Sequence, residues 1–189
     1  MPPKAKFTKE QIAQVALEII REDGCEAVTA RALATKLGSS ACPIFTVFAN
    51  MDEVIEEAVK LAKAIYAKYV RAGLKQQPAF KGVGTQYIRF AQDEPKLFQL
   101  LFMTEADIDS VDNFLPKIDG NYSAILDSVQ TPYGLSEYDA KNLYLHLTIY
   151  THGIATLIAR KVVAFTDADI DRMLTEVFLG LLKEIKARK

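Results

Sequence analysis

Two histidines and two cysteines are the residues whose chemistry could make a metal or redox site in this sequence. His146 and His152 are six positions apart, which places them on different faces of a helix, so a single helix cannot present both to one metal ion. Cys25 and Cys42 form no C-x-x-C pair, and no zinc-ligand set surrounds them. We interpret all four as packing or pocket residues.

A short acidic run, Asp107, Asp109 and Asp112, has carboxylates at the spacing found in metal-binding loops. The central glycine and the remaining ligands of such a loop are missing, so a solvated loop is the better interpretation. The sequence also contains no H-E-x-x-H, G-x-S-x-G or Walker A motif. We therefore predict no catalytic residues, no metal site and no cofactor.

The composition gives little indication of a charged partner. The chain has 189 residues and a formal net charge of −1, and 50% of its residues are hydrophobic. Residues 1–50 contain six basic and five acidic side chains, so this part is only weakly basic. Two cysteines without a disulfide framework favour the reducing cytoplasm. The most apolar stretch, 143–159, is too short and too polar to span a membrane, so no membrane partner is expected.

Apolar residues recur at helical spacing almost throughout the chain, which predicts an all-α fold. Thr8 and Gln11 have the spacing of a capping box, and Gly24 follows the end of that first helix. Asn50 is predicted to cap a long helix that closes near Gly73. Further helices are predicted over about 79–93, from 95, and over 115–129 with an interruption at 120, followed by a turn at 131–134. Ser136 is predicted to cap a long helix to about 161, and Thr166, with Asp169 three residues on, the last helix to about 187.

Residues 29–47 have the pattern of a helix-turn-helix. Two helices that meet at a steep angle favour a glycine at the corner and a small residue where they approach closely. Gly38 and Ala34 occupy these positions, and Thr29 can cap the first helix. Ser39 and the residue after it are expected to cap a short second helix that runs to 47 or 48. The N-terminal residues of that helix would then enter a DNA major groove.

The segment 7–61 resembles the TetR (tetracycline-repressor-like) family of transcriptional regulators. The residues that match the family pattern in order and spacing are Thr29, Ala34, Gly38, Phe45, Phe48 and Asn50. Segments 94–98 and 152–155 are similar to parts of such regulators. The resemblance implies a three-helix DNA-binding domain over residues 1–50. A long helix would join it to a ligand-sensing and dimerisation domain over residues 51–189.

The resemblance also implies three partners: a double-stranded DNA operator, a small apolar or aromatic effector, and a second copy of the chain. The residues expected to contact DNA are Lys4, Lys6, Thr29, Arg31, Lys36, Ser39, Ser40, Ala41, Phe45, Thr46 and Asn50. Two positions depart from the family, since Phe45 stands where a tyrosine is common and Met51 where a lysine is common. These departures predict fewer phosphate contacts than relatives make.

Aromatic residues in the middle of the chain either form ordinary core or enclose the effector, and composition does not separate the two. The predicted effector site comprises Tyr87, Phe90, Phe98, Phe102, Tyr122, Tyr144, His146 and His152. The last two predicted helices have apolar faces too extensive for one chain to cover, which favours an intermolecular four-helix bundle. The predicted interface residues are Ile149, Leu157, Met173, Val177, Phe178 and Leu181.

Three hypotheses remain at this point. The leading one is a homodimeric, ligand-responsive repressor that an effector releases from its operator. The second is a dimeric ligand-binding or protein-interaction module whose helix-turn-helix binds DNA weakly or not at all, and Phe45, Met51 and the nearly neutral head motivate it. The third is an α-helical enzyme, for which the sequence offers no nucleophile–base or metal constellation.

Overall fold

A computed structural model describes residues 6–105 and 110–188, without the side chains of residues 112 and 118. Every regular element among these residues is a helix, which confirms the all-α fold. The α-helices are α1 (Lys9–Asp23), α2 (Ala30–Lys36), α3 (Met51–Leu74), α4 (Ala79–Asp93), α5 (Pro95–Phe102), α6 (Phe114–Ile118), α7 (Tyr122–Tyr133), α8 (Glu137–Ala159) and α9 (Asp167–Ala187). Short 3₁₀ turns lie at Cys25–Ala27, Ile44–Thr46 and Val111–Asn113.

The chain divides into two compact units that do not follow a single cut at residue 50. Unit 1 contains the described residues up to Ile65 together with Glu94–Thr104, and unit 2 contains Tyr66–Asp93 and the described residues from Glu105 onward. The chain therefore crosses between the units three times. One crossing lies inside α3, whose first two thirds belong to unit 1 and whose last turns belong to unit 2.

Unit 1 is built around α1, which buries one apolar face against α2 and against α5. Leu97 and Phe98 of α5 are fully buried in this unit. The Arg21 guanidinium of α1 donates two hydrogen bonds to the Glu94 carboxylate, at 2.5 and 2.9 Å. The helix that follows α4 in the chain is thus an integral part of the N-terminal core.

Unit 2 is a layered helical bundle whose centre is the contact between α4 and α8, with α7 and α9 packed against both. At the start of this unit α3 and α4 approach so closely that only glycine fits. A Cβ atom placed on Gly73 would lie 2.6 Å from the Cα of Val83, and one on Gly82 would meet the Gly73 carbonyl oxygen. The absence of a side chain at these two glycines allows the ends of the helices to approach this closely.

The helix starts predicted at Thr8, Ser136 and Thr166 are confirmed. Thr8 and Thr166 form full capping boxes, and Ser136 caps α8 by accepting from the Asp139 amide at 3.1 Å. The turn expected at 131–134 is wrong, because α7 continues through Pro132 to Tyr133. Gly134 then ends the helix in the left-handed conformation, which glycine adopts without a Cβ penalty.

Candidate DNA-binding and effector-binding sites

The corner of the predicted helix-turn-helix is formed by the end of α2. The Ser39 amide donates to the Ala34 carbonyl at 2.9 Å and the Gly38 amide to the Thr35 carbonyl at 3.2 Å. These two bonds are the Schellman pattern that closes a helix, and they need a left-handed residue between them. Gly38 supplies it with a φ of 61°. The sequence prediction for the corner is confirmed.

The second helix of the motif is the main correction to the prediction. Residues 39–47, hereafter the contact segment, contain only a 3₁₀ turn at Ile44–Thr46 and no α-helix. Pro43 has no amide hydrogen to donate. The Thr46 hydroxyl donates a hydrogen bond to the Pro43 carbonyl oxygen at 2.7 Å. The β-branched residues Ile44, Thr46 and Val47 also disfavour a helix. Buried Ile44 and Phe48 anchor the segment, which leaves its other side chains at the surface.

The predicted DNA-contacting residues on the contact segment are mostly accessible. Phe45 is 47% exposed, Ser40 and Thr46 are exposed, and Ser39 and Ala41 are half-buried. The contact segment therefore presents hydroxyls, a methyl group and an aromatic ring outward from a fixed base.

The basic residues predicted to contact DNA are held differently from one another. Lys4 lies outside the described residues. Lys6 donates to the Ser39 hydroxyl at 3.3 Å, which ties the residues before α1 to the contact segment. Lys36 pairs with Glu22 at 2.6 Å, so part of its charge is compensated. Arg31 is exposed and forms no ion pair within the described part of the chain.

The remaining predicted contacts lie at helix starts. Thr29 caps α2 by accepting from the Ala32 amide at 3.1 Å. Asn50 accepts from the Glu53 amide at 2.9 Å, while the Glu53 carboxylate reaches back to the Ala49 amide at 2.9 Å. Met51, the first residue of α3, is half-buried. The backbone amides at the start of α3 are thus satisfied by the side chains of Asn50 and Glu53, and the second of these is a carboxylate.

A buried polar cluster lies in unit 2, where α3, α4 and α8 meet the break between α6 and α7. The Tyr66 hydroxyl donates to the Asp119 carboxylate at 2.7 Å. The amide and the side-chain nitrogen of Asn121 donate to its other oxygen, at 2.8 and 2.9 Å. The Tyr87 hydroxyl and the Nδ1 of His152 are 2.9 Å apart and share a hydrogen bond.

Aromatic rings surround this cluster. The rings of Tyr66 and Tyr87 meet edge to face with centroids 6.0 Å apart, and those of Tyr122 and Tyr144 lie nearly parallel at 6.0 Å. Phe90 packs against Tyr66 with centroids 5.3 Å apart. Four of the residues predicted from the sequence, Tyr87, Phe90, Tyr122 and Tyr144, are therefore brought together, and His152 joins them.

The electrostatics of the cluster follow from burial and from one carboxylate. Burial raises the pKa of the Tyr66, Tyr87 and Tyr144 hydroxyls, and the nearby negative charge of Asp119 raises each pKa further. Burial lowers the pKa of His152. At neutral pH the tyrosines are therefore neutral phenols and His152 is a neutral imidazole.

Comparison with known proteins decides the family. Residues 80–180 match the family model for the tetracyclin repressor-like C-terminal domain, which covers more than half of the chain's 189 residues. The chain belongs to the tetracycline repressor-like family. This confirms the resemblance seen in the sequence, whose most specific matches lie in the N-terminal part, outside the matched region. No curated protein matches the chain.

The family match covers the whole buried cluster except Tyr66, which lies just before it on α3. Three predicted effector residues of this tetracycline repressor-like chain are not part of the cluster. Phe98 and Phe102 belong to unit 1, and His146 is exposed on α8. Conversely, Asp119 was not among the predicted site residues, because it lies within the segment predicted as a glycine-interrupted helix. An acidic residue between two apolar helical segments was the available signal.

The face of α8 and α9 predicted for dimerisation is open in this tetracycline repressor-like chain. Ile149 is 57% exposed and Leu157 is also exposed. Leu179, which the sequence analysis did not select, is 56% exposed. Phe178 is half-buried, because its ring packs within the chain against Tyr133 at a centroid distance of 5.0 Å. The other predicted residues, all half-buried on α9, are Met173, Val177 and Leu181.

The described residues contain no group of three His, Cys, Asp or Glu side chains arranged to hold a metal ion. Two of the acidic residues considered in the sequence, Asp107 and Asp109, lie outside them. Among the described helices, none is both long enough and apolar enough to cross a membrane.

Proposed function

We propose that this tetracycline repressor-like protein is a cytoplasmic, homodimeric transcriptional repressor that binds operator DNA through unit 1 and releases it when an effector binds in unit 2. The observation that supports this most directly is the corner at Gly38. The Schellman turn there is followed by the contact segment, which buried Ile44 and Phe48 anchor. The capped start of α3 comes next.

In the proposed complex, the contact segment lies against a major groove. Ser40, Ala41 and Thr46 contact base edges, since hydroxyls bond to several bases and methyl groups suit thymine. Lys6 and Arg31 contact phosphates, which fix position without giving sequence preference. The exposed Phe45 ring packs against the sugar-phosphate backbone where relatives commonly have a tyrosine.

The proposed release mechanism uses α3, which belongs to both units. An effector in the aromatic cluster contacts Tyr66 on the last turns of α3 and shifts that helix. Half-sites on an operator lie about one helical turn, roughly 34–36 Å, apart, so a small change in the separation of two heads prevents both from docking. The two heads are joined through the open faces of α8 and α9.

A salt titration of DNA binding tests the DNA-binding part of the proposal. The operator is first selected from a random duplex library, and affinity is then measured on selected and random duplexes. The double variant Phe45→Tyr with Met51→Lys should tighten binding to both duplexes about equally. Each added phosphate contact changes the slope of log affinity against log salt by about 0.9, so a dimer should gain roughly 1.8.

The matched control is Val162→Lys, which adds the same charge at an exposed position of unit 2, outside the predicted contacts. It should leave the slope nearly unchanged. An unchanged slope in the double variant would mean that Met51 does not face the DNA backbone. No salt-dependent binding to any duplex by wild type or double variant would refute DNA binding altogether.

A second function is favoured by the contact segment itself. It is not α-helical, Phe45 and Met51 lack the polar groups of relatives, and Lys36 is paired with Glu22. These features favour a dimeric ligand-binding module that binds DNA weakly or not at all. The titration above separates the two functions, because this module would show no retention on random DNA or heparin at low salt.

A further inference from the structure

The buried carboxylate of Asp119 is the most unusual group in unit 2. Asp119 is 6% exposed and accepts three hydrogen bonds, one from Tyr66 and two from Asn121. Within the described part of the chain, no lysine, arginine or histidine forms an ion pair with it. Hydrogen-bond donors stabilise an ionised carboxylate, but its charge remains without a counter-ion.

The Tyr144 hydroxyl is a further polar group in the same part of unit 2. Tyr144 is 6% exposed, and its hydroxyl has no hydrogen-bond partner among the described residues. The Tyr144 ring stacks on the ring of Tyr122 with centroids 6.0 Å apart. Because Tyr122 follows Asp119 by three residues, the two groups lie in one neighbourhood.

The walls of this neighbourhood are electron-rich rings. Tyr66, Tyr87, Tyr122 and Tyr144 are close enough for their rings to contact one another in pairs. The face of an aromatic ring attracts a cation, and this attraction strengthens when water is excluded. A carboxylate ligand would instead face the Asp119 charge in a site that contains no compensating cation among the described residues.

We propose that the effector is an organic monocation with an apolar body, whose charged nitrogen lies beside Asp119 among the four tyrosine rings. This inference rests on the proposed function, because it specifies the chemical class of the effector for the same unit 2 site. Asp119 supplies the opposite charge, and the rings supply cation–π contacts.

The test uses two pairs of probes that differ in charge but have nearly the same shape. One pair is benzyltrimethylammonium and its neutral carbon isostere, neopentylbenzene. The other is tetraphenylphosphonium and the anion tetraphenylborate. Binding to the full-length protein without DNA is measured by calorimetry. We expect the cation of at least one pair to bind at least about 30-fold more tightly than its partner.

The variant Asp119→Asn keeps the shape of the side chain and removes its charge. It should weaken binding of the preferred cation by about 30-fold or more without weakening binding of its uncharged or anionic partner. The control is Asp127→Asn, which removes an exposed charge on α7 and should change neither affinity. If Asp119→Asn does not fold, the comparison of probes on the wild-type protein still decides the question.

No preference for the cation in either pair, including no binding at all, would overturn the inference. So would a preference that Asp119→Asn leaves intact. Failure of the proposed function looks different, because the preferred cation would then bind to unit 2 without releasing operator DNA, or the protein would bind no DNA at any salt concentration.

Discussion

Two glycines on the open face of α8 and α9 provide a test of dimerisation. Gly153 lies between Ile149 and Leu157 on one stripe of α8, and Gly180 follows Leu179 on α9. A Cβ atom built on either glycine meets nothing within 4 Å in the chain itself. Glycine inside a helix costs about 0.8–1.0 kcal/mol relative to alanine, so the chain alone gains nothing from having glycine here.

The double variant Gly153→Ala with Gly180→Ala should therefore have opposite effects on the chain and on the dimer. Folding of each chain should gain up to about 2 kcal/mol from helix propensity. At a dimer interface where helices approach closely, the added methyl groups overpack the contact, which typically costs about 1–3 kcal/mol. Since each substitution occurs twice in a symmetric dimer, we expect the dissociation constant to rise at least about tenfold.

Sedimentation equilibrium measures the dimer dissociation constant, and urea unfolding under dissociating conditions measures the stability of the chain. The control is Gly84→Ala, whose Cβ would make ordinary contacts, 3.6 Å from Leu174, inside the chain. It should leave dimerisation unchanged. An unchanged dissociation constant in the double variant, or a wild-type protein that is monomeric at micromolar concentration, would refute an interface through these glycines.

Three further predictions concern the interior. Gly82→Ala should destabilise unit 2 by more than about 2 kcal/mol because its Cβ meets backbone, whereas Gly84→Ala, two residues along the same helix, should be neutral or stabilising in urea unfolding; equal effects would contradict the close approach of α3 and α4. Burial lowers the pKa of His152 below its usual 6.5, so the unfolded chain binds the extra proton and stability should fall as the pH drops below about 6.5. His152→Gln should remove part of the difference between urea midpoints at pH 7.5 and 5.5, and an unaltered difference would exclude this cause. Phe98→Ala should cost about 3–5 kcal/mol and weaken DNA binding, because its ring is fully buried in unit 1; a loss confined to effector binding would contradict the assignment of α5.

The helix starts were predictable because their causes are local. Thr8 and Thr166 each place a hydroxyl and a partner three residues apart, and the same geometry that satisfies free amides in a peptide satisfies them here. The corner at Gly38 was predictable for the same reason, since a left-handed residue after α2 is needed whatever surrounds it.

The contact segment was mispredicted because two local signals competed. Ser39 and Ser40 favour a helix start, and Pro43 is acceptable in a first turn. The Ser39 amide instead donates to the Ala34 carbonyl at the end of α2. The Thr46 hydroxyl donates to the Pro43 carbonyl. Which of these bonds forms depends on the burial of Ile44 and Phe48 in the folded chain, which spacing alone does not show.

The sequence also did not show which elements each helix packs against. Phe98 and Tyr87 are both aromatic residues on apolar helix faces, yet one lies in unit 1 and the other beside His152 in unit 2. Periodicity identifies the face that is buried but not the element that buries it. The same limit concealed Asp119, whose importance comes from Tyr66, a residue 53 positions earlier in the chain.

The discontinuity of unit 1 constrains how this protein can exchange parts with its relatives. A recombination joint placed after α3 would transfer α1 and α2 without α5, so the new chimera would combine an α1 surface with a helix that evolved against a different one. Leu97, Phe98 and the Arg21–Glu94 pair would have to match by chance. Under the proposed function, new operator specificity would therefore arise more readily through substitutions within residues 39–47 than through exchange of the whole N-terminal part. A chimera should transplant α5 together with the N-terminal helices.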